Sequence, residues 1–171
     1  GIAFESRLVS LSEVLSRPRG VAAPAAVAGA DLVICAARSR DQTPTLHGEW
    51  IAEGAVVVSI GSTLPEQREV DVSVVARAGL IAADMVEEVA HDSGDMLAAR
   101  RAGIAFESRL VSLSEVLSRP RGVAAPAGGL RLYKSVGAAL QDLVIAGMCV
   151  ARARQASRGT PLPVSIAPVL K

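Results

Sequence analysis

Phe4, Trp50, Phe106 and Tyr133 are the only aromatic side chains in 171 residues. So few stacking surfaces argue against recognition of single-stranded nucleic acid, which relies on base–aromatic contacts. Charge of one sign is also missing. Eighteen basic and seventeen acidic residues leave a net charge of +1, which gives no footprint for nucleic acid or an anionic membrane. Lysine is scarce and asparagine absent: Lys134 and Lys171 stand against sixteen arginines, a bias that hints at a GC-rich gene. The two cysteines, Cys35 and Cys149, each sit in an apolar run. They read as buried, reduced core residues rather than as a disulfide or a nucleophile. No charge-free run is long enough to span a bilayer, since Gln141 and Asp142 break the best candidate. Glu5 and Arg7 interrupt the first apolar run, so no N-terminal signal is read. These absences lead to the expectation of a cytoplasmic chain with neither membrane nor nucleic acid as partner.

Several catalytic signatures are missing too. There is no Walker A sequence, no G-x-S-x-G elbow and no Cys/His spacing of a zinc site. There is no G-x-G-x-x-G, the turn that seats a dinucleotide pyrophosphate. Glu88 and His91 have the E-x-x-H spacing of di-iron bundles. Such sites need two copies and two further glutamates, so surface charge is the better reading. His47, between Leu46 and Gly48, reads as a solvated loop residue. No metal is expected.

What is present is an apolar chain, 50% hydrophobic, long enough for one domain with a core. DLVICAA (31–37), AVVVSIG (55–61) and LIAAD (80–84) read as short buried strands. Polar loops and helical stretches separate them, which is the pattern of parallel α/β units. Asp71 is placed to cap a helix over VSVVARAG, and Ser112 one over SLSEVLS, with Glu115 at the capping-box spacing. MVEEVAHDSGDMLAARRAG is helical with a break at Ser93-Gly94. RLYKS is extended, and SVGAALQDLVIAGMCVARARQA (135–156) makes the longest helix. Its positions Val136, Leu140, Leu143, Val144 and Met148 fall near one face. Residues 155–171, with three prolines, read as an extended tail.

Two loops stand out. GSTLPEQREVD (61–71) follows a buried strand, where ligands of open α/β sheets bind. Gly61 allows close backbone approach there, and Ser62 and Thr63 offer hydroxyls. In YKSVGAALQD, Ser135 stands at an expected helix start. The amides of Val136 and Gly137 would then face an anion or a nucleotide amide; an ordinary serine cap is the simpler alternative.

In order along the chain, GEW, GAVVVSIGSTLPEQREVD, LIAADMVEEVAHDSGDML, LSEVLS and LYKSVGAALQDL resemble the ornithine cyclodeaminase/mu-crystallin family, from about Ala26 to Arg154. The resemblance implies an incomplete Rossmann-like α/β fold: a parallel sheet with flanking helices and a long C-terminal helix. It implies NAD or NADP as cofactor, a small amino or imino acid as substrate and a homo-oligomer. Ala36, Ala37, Ser59, Ile60, Gly61, Ser62 and Ser135 would bind cofactor, and Val136 substrate. Ser62 or Thr63 stands where cyclodeaminases carry a catalytic aspartate. A hydroxyl is no unaided general base near neutral pH, so the resemblance leans toward an imine reductase or the ectoine-utilisation branch. An alternative is a non-catalytic fragment or pseudoenzyme with weak nucleotide or partner binding.

One feature has no place in that family. GIAFESRLVSLSEVLSRPRGVAAPA occurs at 1–25 and again, letter for letter, at 103–127. The second copy lies where the family pattern expects it; the first lies where the glycine-rich turn would be. Solenoid repeats diverge and stack in series, so residues 1–25 read as a displaced copy. Residues 26–154 then form a partial NAD(P)-binding domain. The expected consequences are an open sheet edge and rivalry of the two copies for one docking place.

Overall fold

The computed structural model describes residues 8–10, 23–37, 42–120 and 128–160. Residues 1–137 and 138–171 form two units. The first holds a six-stranded parallel sheet in the order β1-β2-β3-β6-β4-β5. Its strands are β1 (Leu8–Ser10), β2 (Leu32–Cys35), β3 (Val56–Ser59), β4 (Ala78–Ala83), β5 (Leu110–Ser112) and β6 (Leu130–Lys134). Every pairing is parallel. The sheet is therefore α/β, as the alternation of strand, loop and helix implies.

β2 and β3 are β-branched at most positions. They bury Val33, Cys35, Val57 and Ser59 on alternate residues, the period of a pleated strand. β6 has the same period, burying Leu130, Leu132 and Lys134. The helices are short: α1 (Ala23–Val27), α2 (Val72–Arg77), α3 (Val86–Asp92), α4 (Gly94–Arg101) and α5 (Leu113–Ser118). The Asp71 carboxylate accepts the Val74 amide and starts α2; the Ser112 hydroxyl accepts the Glu115 amide and starts α5. Ser93 closes α3 and caps α4, accepting the Met96 amide, so the helix breaks where Ser93-Gly94 predicts. α2 stops at Arg77 rather than at Gly79, because β4 begins at Ala78.

The repeat behaves differently from the expectation. The edge beside β2 is not open: β1, from the first copy, pairs Leu8 with Leu32 and Ser10 with Ile34. The second copy supplies β5 at the opposite edge, pairing Leu110 with Ile81. One LVS triplet thus ends the sheet on both sides, and the two copies do not share one place. The second copy is anchored by two side chains. Phe106 is fully buried. Arg109 donates to the Val75 and Ala76 carbonyls at 3.0 and 3.2 Å, and also to Ala78 O. The matching Phe4 and Arg7 lie outside the described residues. Phe106→Ala is expected to cost about 3–5 kcal/mol, the usual range for emptying a phenylalanine site in a core. Urea unfolding followed by circular dichroism reads this directly.

The second unit contains α6 (Ala139–Gln155), with Asp142 in its first turn and Arg152 and Arg154 in its last. Those charges suit the helix dipole. The helix begins four residues later than expected: Ser135 is not its cap, and Gly137, at φ +85°, precedes it. Cys149 is exposed, against the expectation of burial, whereas Cys35 is buried. Neither is in a disulfide. The tail beyond residue 160 lies outside the described residues. Among the described residues no helix is long and apolar enough to cross a membrane.

Candidate functional site

Because the strands are parallel, their carboxyl ends share one edge of the sheet. β2 delivers Ala36 and Ala37 there, β3 delivers Ile60 to Thr63, and β6 delivers Ser135 and Val136. β2, β3 and β6 are consecutive neighbours, so the expected cofactor residues converge. Ile60 is 43% exposed, and Ala36 is exposed. Ser62 is buried, and its carbonyl, 2.6 Å from Lys134 Nζ, accepts a bond. Thr63 is half-buried, and its amide donates to Gln67 Oε1 at 3.4 Å. Ser59 turns inward. Its hydroxyl donates to Glu69 Oε2 at 2.7 Å and accepts from Lys134 Nζ at 3.0 Å.

Beneath this edge lies an ionic network. Lys134 and Asp95 are fully buried and 2.7 Å apart. Asp95 Oδ1 accepts the amides of Glu69 and Val70 at 2.8 and 3.1 Å. Glu69, also fully buried, accepts the Gly61 amide at 2.9 Å on Oε2. Burial raises the Glu69 carboxyl above its ordinary value, against the lowering effect of the Ser59 and Gly61 bonds and of Lys134. Burial pushes the neighbouring Cys35 thiol far up. Cys35 is therefore a neutral core thiol.

Gly61 is where the chain passes most tightly. A Cβ there would overlap both Glu69 Oε1 and the Ala37 carbonyl oxygen, with the Ala37 carbonyl carbon only 2.7 Å away. Only glycine lets the β2 and β3 ends approach this closely.

The amides after β6 do not await an anion. Asp84, at the end of β4, has taken that place. Its carboxylate accepts the Ser135 hydroxyl at 2.6 Å, the Val136 amide at 3.2 Å and the Gly137 amide at 2.9 Å. The 135–137 loop is thus shaped by an internal carboxylate, and the Ser135 hydroxyl points to β4. Burial opposes the charge on Asp84, but bonds from Ser135, Val136, Gly137 and Met85 outweigh it and hold the carboxyl below its ordinary 3.8. An acid with a depressed folded value stabilises the fold above its ordinary value. That stabilisation is lost as pH falls through the depressed value. Asp84→Asn is expected to destabilise the protein at pH 7, with an effect that shrinks as pH falls below 3.8. Thermal unfolding across this range checks it.

The remaining titratable candidates are structural. His47 is not free in solvent: its Nδ1 lies 3.2 Å from Asp71 Oδ2, and its ring packs 4.5 Å from that of Trp50. His91 lies beside Glu87 at 3.7 Å, and both side chains are exposed. Among the described residues no group of three or more His, Cys, Asp and Glu side chains could hold a metal ion.

Comparison with known proteins places this geometry in context. The family model described as the ornithine cyclodeaminase/mu-crystallin family matches residues 20–157. The chain is 32% identical over 121 residues to the ketimine reductase mu-crystallin of Mus musculus, covering 71% of this chain and 35% of that protein. Among solved structures, the probable ornithine cyclodeaminase from Bordetella pertussis Tohama I aligns with a TM-score of 0.67 and 32% identity, over 84% of this chain and 45% of that one. The Thermococcus litoralis Delta(1)-pyrroline-2-carboxylate reductase, solved with NADH and L-proline, aligns with a TM-score of 0.67 and 26% identity, over 82% of this chain and 43% of that one. The chain spans about a third to under half of the length of these relatives.

Proposed function

The chain belongs to the ornithine cyclodeaminase/mu-crystallin family, and from that premise we propose that the carboxyl edge of β2, β3 and β6 seats the nicotinamide half of NAD or NADP. The enzyme of which this edge is part then reduces an amino-acid-derived imine, as a ketimine or pyrroline-carboxylate reductase does, rather than cyclising ornithine. The observation that carries this reading is the Gly61 pass: strand ends packed so closely that no Cβ fits, at the position where α/β sheets bind ligands. A flat ring can lie against such a bare backbone surface, and Ala36, Ala37 and Val136 add small apolar walls. These residues suit the nicotinamide half of the group.

When bound, the nicotinamide supplies or accepts a hydride at the substrate carbon. The chain's own contribution is orientation. Gly61 and Ala37 set the floor, and the Asp84-held loop of Ser135 and Val136 borders the substrate side. Ser62 and Thr63 are hydroxyl groups where a cyclodeaminase needs a base. Neither removes a proton unaided near pH 7, but a hydroxyl can hydrogen-bond an iminium carboxylate, and Thr63 is the less buried of the two. Residues 1–25 are, on this reading, a displaced copy. A homo-oligomer of cytoplasmic location is the assembly we propose.

The test is an assay of the full chain with NADH and NADPH. It uses pyrroline-2-carboxylate and cyclic ketimines on one side and ornithine on the other. Cofactor oxidation with a cyclic imine, and no ammonia release from ornithine, is the expected result. Turnover of ornithine to proline and ammonia would overturn the reductase reading.

A further inference from the structure

The buried network under the cofactor edge holds one cation and two carboxyl groups. The contacts of Lys134 Nζ are Ser59 Oγ and Ser62 O, to which it donates at 3.0 and 2.6 Å, and Asp95 Oδ2, its ion-pair partner at 2.7 Å. None is with Glu69. Asp95 matches the lysine as its anion, with two backbone amides on its other oxygen. An ionised Glu69 would therefore be a second, unbalanced negative charge at zero exposure, which is among the costliest arrangements in a protein interior.

The oxygens of Glu69 differ. Oε2 has two donors, the Ser59 hydroxyl and the Gly61 amide. Oε1 is buried and, among the described residues, without a hydrogen-bond partner. Oε1 and the Ala37 carbonyl oxygen crowd the same point beside the Gly61 Cα. Two oxygen acceptors facing one point repel unless a proton lies between them. A proton on Oε1 removes the excess charge and supplies the missing donor together.

We propose that Glu69 is held as the neutral carboxylic acid and is the positioning residue of the cofactor edge. Its Oε2 receives the Gly61 amide and its Oε1 proton reaches the Ala37 carbonyl, so that one side chain latches the end of β3 to the end of β2. The proposal deepens the cofactor-edge reading above and rests on it for the word cofactor. The latch itself does not require that reading. The groups facing Glu69 are Lys134 from β6, Asp95 from α4 and Cys35 from β2. The first two are locked in their ion pair, and the third is a neutral thiol. Rising pH removes the Glu69 proton. Loss of its proton opens the latch and loosens the Gly61 pass.

Two readouts on the full chain test this. The first is infrared spectroscopy of wild type and Glu69→Gln at neutral pH, without cofactor. The difference spectrum is expected to show a protonated carboxyl band that is lost in the variant and lost in wild type at high pH. The second is NADH and NADPH affinity across pH for wild type, Glu69→Gln and Glu69→Ala. Glutamine is neutral, accepts on one side and donates on the other, so it restores the latch and flattens the pH profile. Wild-type affinity is expected to fall about tenfold as Glu69 ionises, and Glu69→Ala to be weaker by about tenfold at every pH. Absence of the protonated band, or a Glu69→Gln variant as weak as Glu69→Ala, overturns the proposal. A protonated band in a chain that binds neither nucleotide upholds the latch and overturns the cofactor-edge reading instead.

Discussion

Lys134→Met is expected to lower the free energy of unfolding by about 3–5 kcal/mol, the range for removing one partner of a buried ion pair. Methionine preserves the length and shape of the lysine stem, so packing changes little. What is lost is the ammonium between Asp95, Ser59 and the Ser62 carbonyl. Asp95 is then a buried anion with only the amides of Glu69 and Val70 for company. A second substitution separates charge from packing. In Lys134→Met combined with Asp95→Asn no uncompensated charge remains, and much of the loss should return. Replacing both members of a buried pair is often nearly neutral. Urea unfolding of wild type, single and double variants measures the coupling. If Lys134→Met were as stable as wild type, the ionic network would not be what fixes the strand ends.

Gly61→Val acts on the same edge from above. The added Cβ would collide with the Ala37 carbonyl on one side and with Glu69 Oε1 on the other. The first is backbone of an adjacent strand end, and the second belongs to a side chain held by two hydrogen bonds. Neither can give way without parting β2 from β3. Overpacking of this kind costs about 1–3 kcal/mol, and at about 1.4 kcal/mol per factor of ten nucleotide affinity should fall about tenfold or more. Fluorescence titration with NADH gives the affinity, and thermal unfolding of the same sample shows that the fold persists. A valine variant that binds like wild type would show that the nicotinamide does not rest on Gly61.

The parallel sheet was legible because its strands are short apolar runs separated by polar loops, and a run such as VVVSI has few other homes. The caps Asp71 and Ser112 were legible for a local reason, since each serves an amide three residues on; Ser93 was legible only as a break, and its capping of α4 was not. The charged network was harder to see. Its members Glu69, Asp95 and Lys134 are far apart in sequence, and only the fold brings together the loop after β3, the start of α4 and the end of β6. One signal was available: Lys134 keeps the phase of Leu130 and Leu132 in β6, so strand period alone places a lysine inside. Ser135 misled for the opposite reason. Serine before a helical run suggests a cap, but Asp84, 51 positions earlier, takes the Ser135 hydroxyl, and the helix starts later. The repeat misled because identical sequence suggests identical place, whereas the sheet has two edges, and LVS pairs with Leu32–Ile34 at one and with Ile81–Ala83 at the other.

The central claim is that the carboxyl edge around Gly61 seats a nicotinamide nucleotide. The most direct measurement is titration of the purified chain with NADH and NADPH, followed by nicotinamide fluorescence, with Gly61→Val as control. Saturable binding of one nucleotide in the micromolar range, weakened by the valine, is the result this account predicts. No binding at millimolar nucleotide, or binding indifferent to Gly61→Val, would contradict it.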